Sequence, residues 1–226
     1  ISVYANGGAG GIVLDDQGTS TALATGGSGD ITLVAGTGGI TSANTTNGVA
    51  ELSTTGTVTL TSAGAIGSAT NRIQFPAGQA NVTVTNAPSG VWFNSLGTLS
   101  LGAITTNSTG APGLDVTSAG LLTLAGAVST SSGNITLDSA GNGVTANSTI
   151  TGNSLTISNG GAVDLNNTVT VPNGFSSAGT SFDNTGATIT TTGTAITINH
   201  SGAVTVGASL SAGNGAITVT STGSSV

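Results

Sequence analysis

The sequence predicts an all-β parallel β-solenoid, and three observations carry that expectation. Short β-type runs recur along all 226 residues, with no helical pattern between them. Each run alternates apolar and hydroxyl residues, so that one side faces a core and the other faces water. The order of run, turn and run also returns at a near-constant length: Ile135 to Leu155 is 20 residues and Ile196 to Ile217 is 21. A helix-free unit of that size falls in the range of solenoid coils.

The clearest unit is Gly133–Gly152, GNITLDSAGNGVTANSTITG. Its three strand slots are Ile135-Thr136-Leu137, Gly143-Val144-Thr145-Ala146 and Ser148-Thr149-Ile150-Thr151, separated by turn residues 138–142 and Asn147. Leu155-Thr156-Ile157, Ala162-Val163-Asp164-Leu165 and Thr168-Val169-Thr170-Val171 fill the same slots in the next unit. Ile196-Thr197-Ile198, Ala203-Val204-Thr205-Val206 and Ser209-Leu210-Ser211 fill them in a later one. One unit cannot bury its apolar side chains alone, whereas stacked units make a continuous interior column with coils about 4.8 Å apart. At about 20 residues per coil, the chain is a single segment, 1–226, of roughly 11 coils and roughly 50 Å.

In the N-terminal half, Ile1–Tyr4 and Gly11–Leu14 read as strands, followed by Asp15-Asp16-Gln17-Gly18 as a solvated turn. Adjacent residues on extended chain point to opposite faces, so Asp15 and Asp16 make a poor catalytic pair. Ile31–Val34, Val58–Thr61 and Val82–Thr85 read as first-slot strands, and spacings of 27 and 24 residues give these coils longer corners. Trp92 and Phe93 lie on opposite faces of one run, which leaves one ring exposed or under a loop. Trp92 is the candidate ligand contact, because an exposed aromatic ring beside a polar face can stack on a sugar. Further on, Phe175 and Phe182 are expected inside, and Asp138, Ser158 and Asn199 are expected to form a hydrogen-bonded corner column.

Composition fits a narrow lumen: 36% of residues are hydrophobic, 3% are aromatic, and 38 glycines serve the corners. The net charge of −7, with Arg72 and His200 as the only basic side chains, leaves no cationic footprint for nucleic acid or an anionic lipid surface. No apolar run approaches the ~20 residues of a membrane helix, so membrane insertion is not expected. The absence of cysteine removes disulfides and thiolate metal sites. Ile1–Tyr4 starts in mid-pattern and Ile217–Thr220 is followed only by a Ser/Gly tail, as expected of a piece of a longer repetitive chain or a stacking subunit.

No catalytic constellation stands out, and no catalytic residue or cofactor is expected. Asp164 and Asp183 fall in the same slot of consecutive units and are the weak candidates for a divalent metal. As a glycosidase pair they lack a basic neighbour. Gly26-Gly27-Ser28-Gly29-Asp30 resembles the calcium-binding nonapeptide of toxin-type β-rolls with one residue missing, which makes calcium a secondary expectation. His200 falls in Asn199-His200-Ser201-Gly202, read as a solvated turn. Ice binding is an alternative, since β-solenoids can present flat Thr-x-Thr faces to ice, and carbohydrate binding is another. The motif occurs at Thr57/Thr59/Thr61, Thr83/Thr85, Thr168/Thr170, Thr188/Thr190/Thr192 and Thr218/Thr220. The gap after Thr85, and a different slot for Thr188–Thr192, predict a broken array.

The runs GDITLVAG (29–36), GTVTLTSAG (56–64), GNITLDSAG (133–141) and NGAITVTSTG (214–223) resemble the repeats of filamentous-haemagglutinin-like bacterial surface proteins. That resemblance implies a right-handed parallel β-helix, export to the bacterial cell surface, and a stalk, fibre or adhesive role. The expected partners are a second copy stacked end to end and a host or surface glycan.

Overall fold

The computed structural model describes residues 1–18, 20–44, 48–110 and 112–223. Among them there is no helix, and every strand pairing is parallel, most often with the strand one coil further along the chain. The result is a β-solenoid with 20–21 residues per turn in its C-terminal half. Ile135–Asp138, Leu155–Ser158, Phe175–Gly179, Ile196–His200 and Ile217–Ser221 belong to an eight-stranded sheet that forms the first face. A fifteen-stranded sheet carries the second and third slots, for example Val144–Ala146 and Ile150–Thr151.

Coil size is not constant. On the first face, Ile12, Ile40, Ile66, Val91, Leu114, Ile135 and Leu155 stand above one another in register. The spacing along that column falls from 28 residues (Ile12 to Ile40) through 26, 25 and 23 to 20–21 in the C-terminal half. The turn count is therefore below the eleven that a uniform twenty-residue coil gives. The extra chain sits on this face: it departs between Leu14 and Leu23, between Ser42 and Leu52, and between Ile66 and Ile73. From Val91–Ser95 onward the strand is continuous.

The strands that begin at Ile31, Val58 and Val82 are not on the first face. They pair with one another and, through Leu99–Thr105, continue into the second and third slots. An alternation of aliphatic and threonine residues reads the same on every face, and only the pairing partner distinguishes them. Gln79–Asn86 and Leu99–Thr105 each cross both slots as one long strand, with register shifts between Leu99 and Ile104. After them the chain breaks at the corner into Leu122–Leu124 and Val128–Ser129.

The core is a stack of aliphatic side chains from all three slots, with four buried rings inserted in pairs. Phe75 meets Phe93 edge to face at 5.1 Å, and Phe175 meets Phe182 at 6.2 Å, both favourable aromatic geometries. The corners bring backbone very close to backbone. At Gly161 (φ 58°) a Cβ would stand 2.3 Å from the Gly141 carbonyl oxygen, so only glycine fits there.

Leu155 fills one such rung and is fully buried, while its neighbour Thr156 is exposed. Leu155→Ala is expected to cost about 2–5 kcal/mol, the cost of a core truncation. Thr156→Ala should stay within about 0.5 kcal/mol, as surface changes do. Urea unfolding midpoints of the two variants check both.

Candidate functional site

The most regular surface lies on the third slot. Its inward column is Val3, Leu33, Leu60, Val84, Ile104, Val128, Ile150, Val169, Ile189 and Leu210, joined rung to rung by register pairs. On extended chain, the residues flanking each inward side chain point outward. Those flanks make Thr59-Leu60-Thr61, Thr83-Val84-Thr85, Thr149-Ile150-Thr151, Thr168-Val169-Thr170, Thr188-Ile189-Thr190 and Ser209-Leu210-Ser211. Eight of the ten positions in each outward column are Ser or Thr, and none is charged. One outward column holds Ser or Thr on every coil from Thr61 to Ser211, whereas the other is interrupted by Ala103 and Ala127. Thr188–Thr190 shares its slot with Thr168–Thr170, and Thr149–Thr151, missed in the sequence, stands beside them. Thr61 and Thr85 hydroxyls bond each other at 2.6 Å. The hydroxyls of Thr149, Thr151, Thr168, Thr170, Thr188 and Thr190 have no partner among the described residues.

A second polar region lies where the wider coils leave the first face. Asp15 and Asp16 occupy the expected turn, but Asp16 is buried rather than solvated. Both carboxylates accept from the Asn44 side-chain amide of the next coil. Below it, Glu51 is fully buried and accepts from Ser42 Oγ (2.7 Å) and the Gln74 backbone N–H. Burial holds the Glu51 carboxyl above the usual glutamate range, partly offset by those donors. Arg72 grips Asp115 in a bidentate pair at 2.9 and 3.1 Å and also donates to the Phe93 and Asp115 carbonyls. The single arginine therefore ties together three successive coils.

The residues singled out from sequence are scattered over this frame. Asp164 and Asp183 are register partners on adjacent coils, as their spacing predicts. Each carboxylate is engaged locally: Asp164 by the Asn166 amide (3.0 Å), Asp183 by the Thr185 N–H and hydroxyl (2.7 and 2.6 Å). Asp30 accepts from the Thr57 N–H at 2.8 Å. Among the described residues no three acidic or imidazole side chains gather within reach of one ion. Trp92 is half-buried on the outer side of the first face, opposite the buried Phe93 and in register with Asp115. The corner column of Asp138, Ser158 and Asn199 is interrupted by Ala178, and Asp138 instead accepts from Asn159 (3.1 Å).

His200 corrects the sequence reading most sharply. It ends the strand Ile196–His200, is buried, and packs against Phe182 with ring centroids 5.5 Å apart. Nε2 lies 3.0 Å from Ser177 Oγ, and Nδ1 has no partner among the described residues. Burial lowers its pKa by disfavouring the charged ring. The sequence signal was present: Ile196, Ile198 and His200 share one side of a period-two strand. Glycine makes the space, since the ring lies over Gly179, where a Cβ would meet Cε1 at 3.1 Å.

A concavity of about 720 Å³ is an open groove along the corner that follows the first face, lined by Gly141, Asn159, Gly179 and Ser201 among others. Among the described residues, no carboxylate or imidazole lines it. In comparisons with known proteins, no family model, curated protein or solved structure matches the chain.

Two of the buried titratable groups, Glu51 and His200, give opposite pH dependences. Glu51, with its folded pKa raised, contributes stability present below about pH 4.5 and lost as pH rises through the folded value. His200, with its folded pKa lowered, contributes stability present above about pH 6.5 and lost as pH falls. Relative to the parent, Glu51→Gln should therefore gain stability as pH rises from 4 to 8. His200→Leu should gain as pH falls from 7 to 5. Thermal unfolding midpoints across that range check both slopes.

Proposed function

We propose that this chain is a non-catalytic structural segment: a rigid β-solenoid spacer in an extracellular bacterial surface protein of the adhesin or filament type. The observation that carries this reading is the continuity of the core columns, paired rung to rung from the first coil to the last among the described residues. Such a stack resists bending, because each coil is held to the next along its strands. The polar clusters serve the stack: Arg72–Asp115 and Asn44–Asp16 each link neighbouring coils. The right-handed winding implied by the resemblance to haemagglutinin-like repeats agrees with the general handedness of parallel crossovers.

Two further features support the surface setting. The one Lys or Arg in the chain is the only point for a trypsin-like protease, and it is tied into an ion pair whose arginine side chain is 15% exposed. The end coils also show apolar residues whose columns are buried on interior coils: Ile1 at one end, Val206 and Ile217 at the other. Their strand edges accept a further coil, of the same chain or of a neighbour. Contact between unlike ends does not close, so copies joined this way form a filament.

Negative-stain images of the purified protein should show straight rods, some joined end to end. Ile1→Lys/Ile217→Lys should abolish the joining while single rods persist, with the sedimentation coefficient no longer rising with concentration. Compact, round particles would contradict the spacer role.

A further inference from the structure

From the hydroxyl array on the third slot we infer an ice-binding face, a role independent of the spacer function. Its ligand is the ordered water of an ice surface, and the recognition is geometric. Successive coils repeat at about 4.8 Å along the axis, and the two outward positions of each strand lie about 6.6 Å apart. These two repeats are close to those of water oxygens on a prism face of hexagonal ice. From Ile104 to Leu210 the strands stack with no register shift, which keeps the array in step over six coils.

The chemistry of the face selects the same occupant. The exposed threonine hydroxyls at 149, 151, 168, 170 and 188 spend no hydrogen bond on the protein and are left for water. Stiff β-branched side chains on a regular sheet hold both hydroxyl and methyl in place. No charge stands in either column to organise water around an ion instead. A sugar ligand would want an aromatic platform. The only ring in the array is Tyr4 at one end, and Trp92 stands on a different face. A protein partner would want large apolar anchors, and the outward columns hold only Val34 and Tyr4 of that kind.

The asparagine ladders continue the same repeat beyond the array. Asn166 donates to Asn147 at 3.2 Å, and Asn153 donates to Asn134 at 2.6 Å, each pair linking adjacent coils. They fix neutral side chains at one coil spacing along the corners.

The test is partition of the purified protein between a slowly growing ice front and the liquid, together with thermal hysteresis. The parent and Thr156→Lys, on the first face, should be taken up by ice. Thr151→Lys/Thr170→Lys should lose both uptake and hysteresis, with circular dichroism and melting unchanged. Rejection of the parent by ice, or equal uptake of Thr151→Lys/Thr170→Lys, would overturn the inference. So would retention of the parent on insoluble cellulose or chitin that Thr151→Lys/Thr170→Lys loses while ice rejects both, because the face would then be a glycan site.

Discussion

Every feature of this structure rests on one constraint: successive coils must pair in register through parallel backbone hydrogen bonds. The first face shows the ladder, with Ile135 N–H on Ser154 O (2.8 Å), Leu155 on Gly174 (3.0 Å), Phe175 on Ala195 (3.1 Å) and Ile196 on Ala216 (2.9 Å). Because side chains alternate, a slip of one residue would turn the hydroxyls inward and the aliphatic column out. Pairing and core therefore specify each other. Neither a single coil nor an isolated column would persist alone.

The same constraint accounts for the scarcity of charge. A residue at a given position has a like-placed neighbour one strand spacing above and below it, at about 4.8 Å, where equal charges repel. The outward columns are accordingly threonine, serine and asparagine, whose side chains can stand in line without that cost. Asn173 donates to Asn153, which in turn donates to Asn134. Asp164 and Asp183 are the exception, stacked one above the other, and each leans on an amide or hydroxyl of its own coil. Where the coils widen near the N-terminus, the regular columns no longer govern the departing chain, and the buried Asp16, Glu51 and Gln74 gather there.

The stacking was legible from alternation and repeat length, because both follow directly from one buried and one wet side on each strand. Phe175 and Phe182 fell inside as expected. Face assignment was harder to read. Ile31–Ala35 and Ile135–Asp138 have nearly the same sequence yet lie in different sheets. What separates them is the chain that departs after Leu14, Ser42 and Ile66, and its composition resembles any other turn. The hydroxyl array was hidden for the same reason: its members are spread over coils of unequal length and align only once pairing is known. His200 was misread because its Asn-His-Ser-Gly context suggested a turn, while the inward side of Ile196 and Ile198 extended one residue pair further. Glu51, the only glutamate, gave no sequence signal at all, since its burial comes from Ser42 and Gln74 on neighbouring segments.

The chain has no cysteine, so two introduced thiols can be spin-labelled without interference. Thr136, Thr197 and Thr218 share one outward column of the first face, as does Asp115. Electron–electron distances in T136C/T197C, T136C/T218C and D115C/T218C should grow with the number of intervening coils, by about 4.8 Å for each. Distances that do not follow that order, or that scatter broadly in each pair, would contradict the in-register stack.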